Sequence, residues 1–147
     1  MNYQKLISHR GNLLGSNPDL ENSPSAIQQA IKKGFDCEID LWVKDKKIFL
    51  GHDYAQYEIN IGFLLDINQY IWIHCKNLSA INYLTEQSDV FNFFWHENDK
   101  FTLTSKGFIW TYPNNEYDKN SVIVNLNAGL VLEKDCYGIC SDYVSQY

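Results

Sequence analysis

The sequence predicts an α/β fold, a compact parallel β-barrel in which several outer helices are reduced or missing. The chain opens with a strand, a helix and a second strand, which is the order typical of parallel β/α units. Eight short runs rich in β-branched or aromatic residues extend to the end of the chain, and eight strands can close a barrel. A complete TIM barrel takes about 250 residues. This chain has 147 residues, so several helices must be absent.

The eight predicted strands are bounded by turn-forming residues. They are Lys5–His9, Asp36–Trp42, Ile48–Gly51, Tyr70–Cys75, Val90–Trp95, Gly107–Thr111, Ser121–Leu126 and Tyr137–Ser141. The first helix follows Ser23, an N-cap candidate, and stops before Gly34, a residue typical of helix ends. A second helix is predicted at about Leu78–Glu86, and a weaker helical turn at Gly62–Ile67.

Length and composition are those of one globular domain, residues 1–147. The net charge is −6 and no stripe of lysine and arginine is present, which argues against a nucleic-acid partner. The first residues show no signal-peptide pattern, and no apolar stretch of about 18 residues occurs, so we expect a cytoplasmic protein without a transmembrane segment. The four cysteines are expected to be free buried thiols, with a Cys136–Cys140 disulfide as the alternative.

Charged residues gather at the ends of the first three predicted strands. His9-Arg10-Gly11 ends the first strand and Gly51-His52-Asp53 ends the third. Glu38 and Asp40 lie on one face of the second strand, opposite a wholly apolar face. Two neighbouring carboxylates are costly to bury without a cation, and Mg²⁺ or Ca²⁺ would remove that cost. The alternative is a solvated strand face without a metal.

The link between the second and third strands leaves their relative direction open. Only Val43–Lys47 joins them, whereas a parallel crossover normally needs a dozen or more residues. The local pattern therefore favours a hairpin, and we expect a hairpin to place His52 at the opposite end from Glu38 and Asp40. A site that contains both histidines would require a tight return instead.

As an ordered set, these motifs resemble the glycerophosphodiester phosphodiesterase family, whose pattern is H-R-G, P-E-N-T, E-x-D, H-D and G-I-x-T-D-x-P. The matching segments are Ile7–Gly11, Glu21-Asn22-Ser23, Ala30…Gly34, Glu38-Ile39-Asp40, Gly51-His52-Asp53 and Gly138–Tyr143. The likeness is dense as far as Asp53 and thin afterwards. It implies a TIM barrel, hydrolysis of glycerophosphodiesters with a divalent metal, and a short return that brings both histidines to one mouth of the barrel.

The resemblance also implies roles for individual residues. His9 and His52 match the family's catalytic pair, and Arg10 matches its phosphate-binding arginine. Glu38 and Asp40 match its metal ligands. Two further matches are Glu21, which corresponds to the glutamate close to the metal, and Lys76, which corresponds to the lysine of the family's E-x-K.

The fourth strand departs from the family, because His74 stands where the family has the acid that is its third metal ligand. If His74 is a ligand, the preference moves from Mg²⁺ or Ca²⁺ toward Mn²⁺ or Zn²⁺. If it is a structural histidine, Glu21 must do more or the site is weakened. His96 and Trp110 are expected to contact substrate. Together, His9, His52, His74 and His96 are predicted to end strands at one barrel mouth.

The sequence thus predicts a metal-dependent phosphoric diester hydrolase that acts on a small glycerophosphodiester-like substrate, a lipid headgroup or a polymer. A neighbouring substrate hydroxyl could attack first and give a cyclic phosphate, which would be a lyase outcome. The alternative is a non-catalytic module that binds a phospho-ligand or sugar phosphate. Missing outer helices would expose apolar barrel surface that a second subunit of a homo-oligomer could cover.

Overall fold

The computed structural model describes residues 2–147 and places its strands in one mixed sheet that curls into a half-barrel. The strands are β1 (Lys5–His9), β2 (Asp36–Lys44), β3 (Lys47–Leu50), β4 (Tyr57–Ile59), β5 (Ile71–Cys75), β6 (Asn92–Trp95), β7 (Phe101–Leu103), β8 (Ile109–Thr111), β9 (Ser121–Asn125) and β10 (Gly138–Ser141). The helices are α1 (Pro24–Lys32), α2 (Ile61–Ile67) and α3 (Leu78–Thr85), with 3₁₀ turns at Asn68–Tyr70 and Val144–Gln146. All eight predicted strand runs overlap observed strands, whereas β4 and β7 are not anticipated by the sequence.

Parallel pairing runs through the middle of the sheet, in the neighbour order β6-β5-β2-β1-β10-β9-β8. Three strands are antiparallel additions: β3 pairs with β2, β4 with β3, and β7 with β8. The carboxyl ends of the parallel strands therefore share one rim, where the chemistry-bearing residues of β1, β2, β5 and β6 lie.

The predicted fold, a closed parallel barrel of TIM type, is wrong. The chain between β6 and β8 forms β7, which pairs antiparallel with β8 instead of supplying a crossover helix. Within the described chain, the connections at residues 112–120 and 126–137 also hold no helix. A chain this short cannot provide a helix for every crossover, and the result is an open, mixed sheet.

Local sequence signals explain where the helices begin. The Ser23 side chain caps α1 by accepting a hydrogen bond of 3.2 Å from the backbone N–H of Ala26, and Pro24 takes the first helical position. Asn77 caps α3 in the same way through Ala80, at 3.0 Å. The Asn77 amide also donates to the Val43 carbonyl at 2.9 Å, which joins the start of α3 to β2. As predicted, all four cysteines are buried and free.

The two faces of β2 differ in chemistry, as the alternation predicts. Cys37, Ile39 and Leu41 are fully buried in the main core, which packs between the sheet and its helices. Glu38 and Asp40 are buried on the other, concave face. This arrangement keeps two carboxylates out of water on the inside of the curled sheet.

A hairpin, not a tight parallel return, joins β2 and β3, so the return implied by the family resemblance is wrong. Asp45 and Lys46 form the turn with φ angles of 50° and 63°, as in hairpin turns of the primed type. The expectation that a hairpin carries His52 away is also wrong. Because β2 continues past Asp40 to the turn, β3 comes back alongside it, and Gly51 donates a backbone hydrogen bond of 3.1 Å to the carbonyl of Asp40. His52 is thereby returned to the rim.

Candidate functional site

A cavity of about 360 Å³ opens at the carboxyl ends of the parallel strands, on the concave face of the sheet. The residues predicted to be catalytic, His9, Arg10, His52 and Lys76, all line it. Two of the predicted metal ligands, Glu38 and His74, and both predicted substrate contacts, His96 and Trp110, line it as well. Asp40 and Glu21 do not line the cavity; each instead pairs with the Arg10 guanidinium.

Strand register brings the predicted metal ligands together. His9 lies beside Glu38 in the β1–β2 pair, and Asp40 lies beside His74 in the β2–β5 pair. One ligand atom from each of Glu38, Asp40 and His74 lies within 4.8 Å of the others. In the described part of the chain, these three residues are the histidine, cysteine, aspartate or glutamate side chains that lie close enough together to hold a metal ion.

Two oxygens of this group lack hydrogen-bond partners among the described residues. They are Glu38 Oε2 and Asp40 Oδ1, and both are shielded from solvent. The nitrogen that faces Asp40 Oδ1 is His74 Nδ1, at 3.1 Å. Two donors each about 2.1 Å from one ion lie about 3 Å apart when they bind at right angles. The spacing and the orphaned oxygens therefore fit a bound divalent cation.

Neighbouring groups drive the pKa values of the two buried carboxyls apart. Burial and the neighbouring Asp40 raise the pKa of Glu38 well above its ordinary value, against the opposing influence of His9, Arg10 and His74. For Asp40, burial is outweighed by His74, by Arg10 and by the Asn22 amide, so its pKa lies well below the ordinary value. A cation beside both groups would remove the repulsion that raises the pKa of Glu38.

Asp40 is oriented by Asn22, a residue that the sequence analysis quotes but does not assign. Asn22 Nδ2 donates to Asp40 Oδ2 at 2.8 Å, and the Asp40 backbone N–H donates to Asn22 Oδ1 at 2.9 Å. Asn22 is fully buried and adopts a positive φ of 63°, a conformation that asparagine tolerates better than most residues. The reciprocal pair leaves Oδ1 of Asp40 facing His74.

His74 is held with one nitrogen toward the carboxylates. Its Nε2 lies 3.2 Å from the backbone oxygen of His96, an acceptor, so Nε2 carries a proton. Its Nδ1 faces Asp40 Oδ1 at 3.1 Å and Glu38 Oε1 at 4.0 Å. A histidine whose outer nitrogen donates to a backbone carbonyl has the tautomer that presents a lone pair to a metal.

Arg10 is paired with two carboxylates. Its Nε lies 3.1 Å from Asp40 Oδ2, and its Nη1 lies 3.1 Å from Glu21 Oε1. Glu21, predicted as a metal ligand, therefore lies against the guanidinium and outside the group formed by Glu38, Asp40 and His74. The tight turn after Arg10 needs Gly11, whose φ is 87° and whose added Cβ would lie 2.9 Å from Ala26 Cβ.

His9 forms a dyad with Asp142, a residue to which the sequence analysis gives no role. Nδ1 of His9 lies 2.7 Å from Asp142 Oδ1, and its Nε2 lies 3.8 Å from Glu38 Oε2. Asn12 Nδ2 also donates to Asp142 Oδ1, at 2.8 Å. Burial opposes a charge on His9, but Asp142 and Glu38 outweigh burial and raise its pKa. Asp142 lies just past the last strand, β10, which pairs with β1. This position in the sequence is the signal that could have indicated a contact with His9.

His52 lies at the rim and is more open to solvent. Its side chain is 36% exposed, and its Nδ1 lies 2.8 Å from Asp53 Oδ1. The loop that carries it is held by Trp42, whose indole N–H donates to the Gly51 carbonyl at 2.7 Å. A Cβ on Gly51 would collide with the carbonyl oxygen of Tyr54, and the φ of 149° also favours glycine. The four predicted mouth histidines therefore border one cavity.

Aromatic rings form part of the wall of the cavity. Trp110 is only 2% exposed and stacks on Phe94 with ring centroids 4.8 Å apart. Phe94 in turn stacks on His74 at 5.2 Å, and His96 stacks on Tyr112 at 3.3 Å. Burial, together with the nearby His74 and Lys76, lowers the pKa of His96 to about 4. The wall thus combines apolar rings with one neutral imidazole.

Comparisons of this chain with protein-family models, with curated proteins and with solved structures give no match. Among the residues described, the helices are all too short or too polar to cross a membrane.

Proposed function

We propose that the protein is a metal-dependent phosphoric diester hydrolase related to the glycerophosphodiester phosphodiesterase family. One observation supports this most strongly. Ligand atoms of Glu38, Asp40 and His74 lie within 4.8 Å of one another, and Nε2 of the dyad histidine, His9, lies 3.8 Å from the same Glu38 carboxylate. A cation-binding group beside an oriented acid–base residue is the combination that phosphodiester cleavage requires.

Glu38, Asp40 and His74 would hold the divalent ion. Their donor set of two carboxylates and one imidazole favours Mn²⁺ or Zn²⁺ more than an all-oxygen set does, although Mg²⁺ and Ca²⁺ stay candidates. When bound, the ion would supply Lewis-acid polarisation of a phosphoryl oxygen. Glu21 is assigned a different part in this proposal, because its carboxylate is paired with Arg10.

The side chains around this group supply the proton transfers. Asp142 holds the Nδ1–H of His9, which leaves Nε2 to exchange a proton with the attacking or leaving oxygen. His52, which also lines the cavity and contacts Asp53 through Nδ1, is the partner that would handle the other oxygen. Lys76 and Arg10 would stabilise negative charge on the phosphoryl group.

The attacking group can be a water molecule or a neighbouring hydroxyl of the substrate. Attack by water gives a phosphomonoester and an alcohol, whereas attack by the hydroxyl gives a cyclic phosphate and is a lyase outcome. His9 and His52 can serve either route, since both routes need one proton removed and one supplied. The substrate would be a small glycerophosphodiester, a lipid headgroup or a polymer with the same linkage.

Two observations favour a second candidate, a non-catalytic module that binds a phospho-ligand or sugar phosphate. The Arg10 guanidinium already contacts two carboxylates, and His52 is more exposed than the other site histidines. Both features would be compatible with a site that binds anions but does not turn them over.

The deciding experiment incubates the whole chain with a panel of glycerophosphodiesters and with Mg²⁺, Ca²⁺, Mn²⁺ or Zn²⁺, followed by ³¹P NMR. The enzyme hypothesis predicts metal-dependent turnover that is lost in His9→Ala and kept in a matched surface variant, Lys106→Ala. A cyclic product would identify the lyase route. Phosphate binding without turnover of any diester would support the binding module and overturn the enzyme.

A further inference from the structure

We infer that His96 is a specificity-determining residue whose Nε2 accepts a hydrogen bond from a hydroxyl of the substrate's alcohol, so that the site selects an alcohol that carries a free hydroxyl. This inference rests on the proposed function, because it assumes that a phosphoryl group occupies the same cavity. The residue types around the ring, its burial and its stacking support the assignment.

The His96 ring is fixed in position. It stacks on Tyr112 with ring centroids 3.3 Å apart, and its side chain is only 11% exposed. Its backbone oxygen is also fixed, since it accepts the hydrogen bond from His74 Nε2 at 3.2 Å. The ring cannot tilt away from Tyr112 without losing this stacking contact.

The two ring nitrogens of His96 lie in different surroundings. Nδ1 is shielded from solvent and has no hydrogen-bond partner among the described residues. The carboxylate oxygen nearest to it in an ion-pair arrangement is Asp99 Oδ2, at 3.7 Å. A lone pair on Nδ1 would face that negative charge, so the favoured neutral tautomer carries its proton on Nδ1. Nε2 is then an acceptor on a ring that lines the cavity.

The cavity is lined by both charged and apolar side chains. Arg10 and Lys76 are among its charged lining residues, and Tyr112, Pro113 and Leu126 are among its less polar ones. When the phosphoryl group binds the charged residues, the alcohol is left among the other lining groups. His96, stacked on Tyr112, is the neutral acceptor beside those groups.

An acceptor at this place discriminates between alcohols. A hydroxyl can donate to Nε2. A quaternary ammonium such as choline has no donor, and Lys76, which lines the same cavity, adds a positive charge that opposes it. Polar groups that are built to bind a hydroxyl reject analogues that lack one, because the acceptor is then buried without a partner.

His96 does not belong to the metal-ligand group in this assignment. Its ring centroid is 6.0 Å from that of His74, and the described residues whose ligand atoms converge are Glu38, Asp40 and His74 alone. His96 also has no counterpart in the family motifs that the chain resembles, so its contribution would be particular to this protein.

The test measures binding of three probes to the whole chain by isothermal titration calorimetry, with and without Mn²⁺: glucose 1-phosphate, phosphocholine and inorganic phosphate. Two variants accompany the wild type. His96→Phe keeps a ring to stack on Tyr112 but has no acceptor, and His96→Gln restores an acceptor oxygen. We expect wild type to bind glucose 1-phosphate about tenfold more tightly than phosphocholine, a preference that His96→Phe loses and His96→Gln partly keeps. Inorganic phosphate should bind all three proteins equally.

Long-range ¹H–¹⁵N NMR gives a readout that does not depend on affinity. We expect His96 to show a protonated Nδ1 and an unprotonated Nε2, and the Nε2 resonance to move upfield with glucose 1-phosphate but not with phosphocholine. A proton on Nε2 in the free protein would overturn the assignment.

The outcomes separate the two proposals. If inorganic phosphate binds but His96→Phe leaves the preference between the two esters unchanged, the role of His96 is overturned while the phosphate site stands. If His96→Phe weakens all three probes alike, His96 acts through His74 and the selectivity assignment is overturned. If wild type binds none of the probes, the proposed function fails and this inference fails with it.

Discussion

Asp142 Oδ1 lies 2.7 Å from Nδ1 of His9, although the two residues are 133 positions apart in the chain. Parallel pairing between the first and last strands of the described chain produces this contact, because Ser8 lies opposite Ser141 in the register. The carboxylate fixes one nitrogen of His9 as a donor and so makes the other, Nε2, available to the cavity.

We expect Asp142→Asn to lower kcat by roughly 10²-fold or more with little change in KM, because the asparagine amide can hold His9 in the wrong tautomer. Steady-state kinetics across a pH series on whichever diester is turned over would measure this effect. Asp66→Asn, an exposed acid on α2, is the matched control and should leave both constants unchanged. Equal kinetics in Asp142→Asn and wild type would show that the dyad has no catalytic part.

We also expect His74 to decide which metal binds. His74→Glu supplies an all-oxygen donor set, which should shift the preference from Mn²⁺ or Zn²⁺ toward Mg²⁺ or Ca²⁺. Asp40→Asn should weaken all four metals by roughly 10- to 100-fold, as loss of a charged ligand does. Calorimetric titration of each metal into the metal-free protein provides the measurement, with the exposed Glu58→Gln as control.

An unchanged order of metal affinities in His74→Glu would contradict this assignment and return His74 to the structural role that the sequence left open. In that case the orphaned Oδ1 of Asp40 would need another partner, and a proton on His74 Nδ1, 3.1 Å away, would be the candidate.

The sequence anticipates which residues lie together at this site better than it anticipates the strands around them. Alternation along β2 correctly separates Glu38 and Asp40 from the buried Cys37, Ile39 and Leu41. These are local properties, determined by the period of a strand and by the polarity of its two faces. The same reasoning locates α1, because Ser23 and Pro24 carry their signals within a few residues.

The contacts between distant parts of the chain could not be predicted from such local signals. Whether β7 would pair antiparallel with β8 depends on which neighbour its short segment meets, and no local residue specifies that. The Asp142–His9 contact depends on the β1–β10 register. The position of His52 depends on how far β2 continues past Asp40 before it turns, a length that strand propensity determines poorly.

The raised pKa of Glu38 predicts a stability penalty in the metal-free protein. A carboxyl whose pKa is higher in the folded state is favoured when protonated. Its stabilising contribution is therefore fully present below the ordinary value of 4.5 and is lost as the pH rises through the raised pKa. Glu38→Gln mimics the protonated form, so we expect it to raise the free energy of unfolding by roughly 1–3 kcal/mol at pH 8 and to have little effect near pH 4.

Urea denaturation with a chelator present, at both pH values, would measure this difference, and Glu58→Gln should show none. Adding the metal should make wild type more stable than Glu38→Gln at pH 8, because a bound cation stabilises wild type through Glu38 and cannot do so as well through glutamine. A Glu38→Gln variant that is less stable than the metal-free wild type at pH 8 would contradict the interpretation that the charged Glu38 beside Asp40 destabilises the metal-free protein.

The loop that returns His52 to the rim gives the last prediction. Gly51→Ala places a Cβ against the Tyr54 carbonyl and imposes an unfavourable φ, so the backbone must shift and carry the neighbouring His52 with it. We expect a loss of roughly 1–3 kcal/mol in stability and a fall in kcat of roughly tenfold or more. Gly107→Ala is the matched control, because Gly107 has a φ of 88° but nothing within 4 Å of the added Cβ. Gly107→Ala should lose about 1 kcal/mol of stability without a change in kcat. Equal kcat values in the two variants would show that His52 is not a member of the catalytic pair.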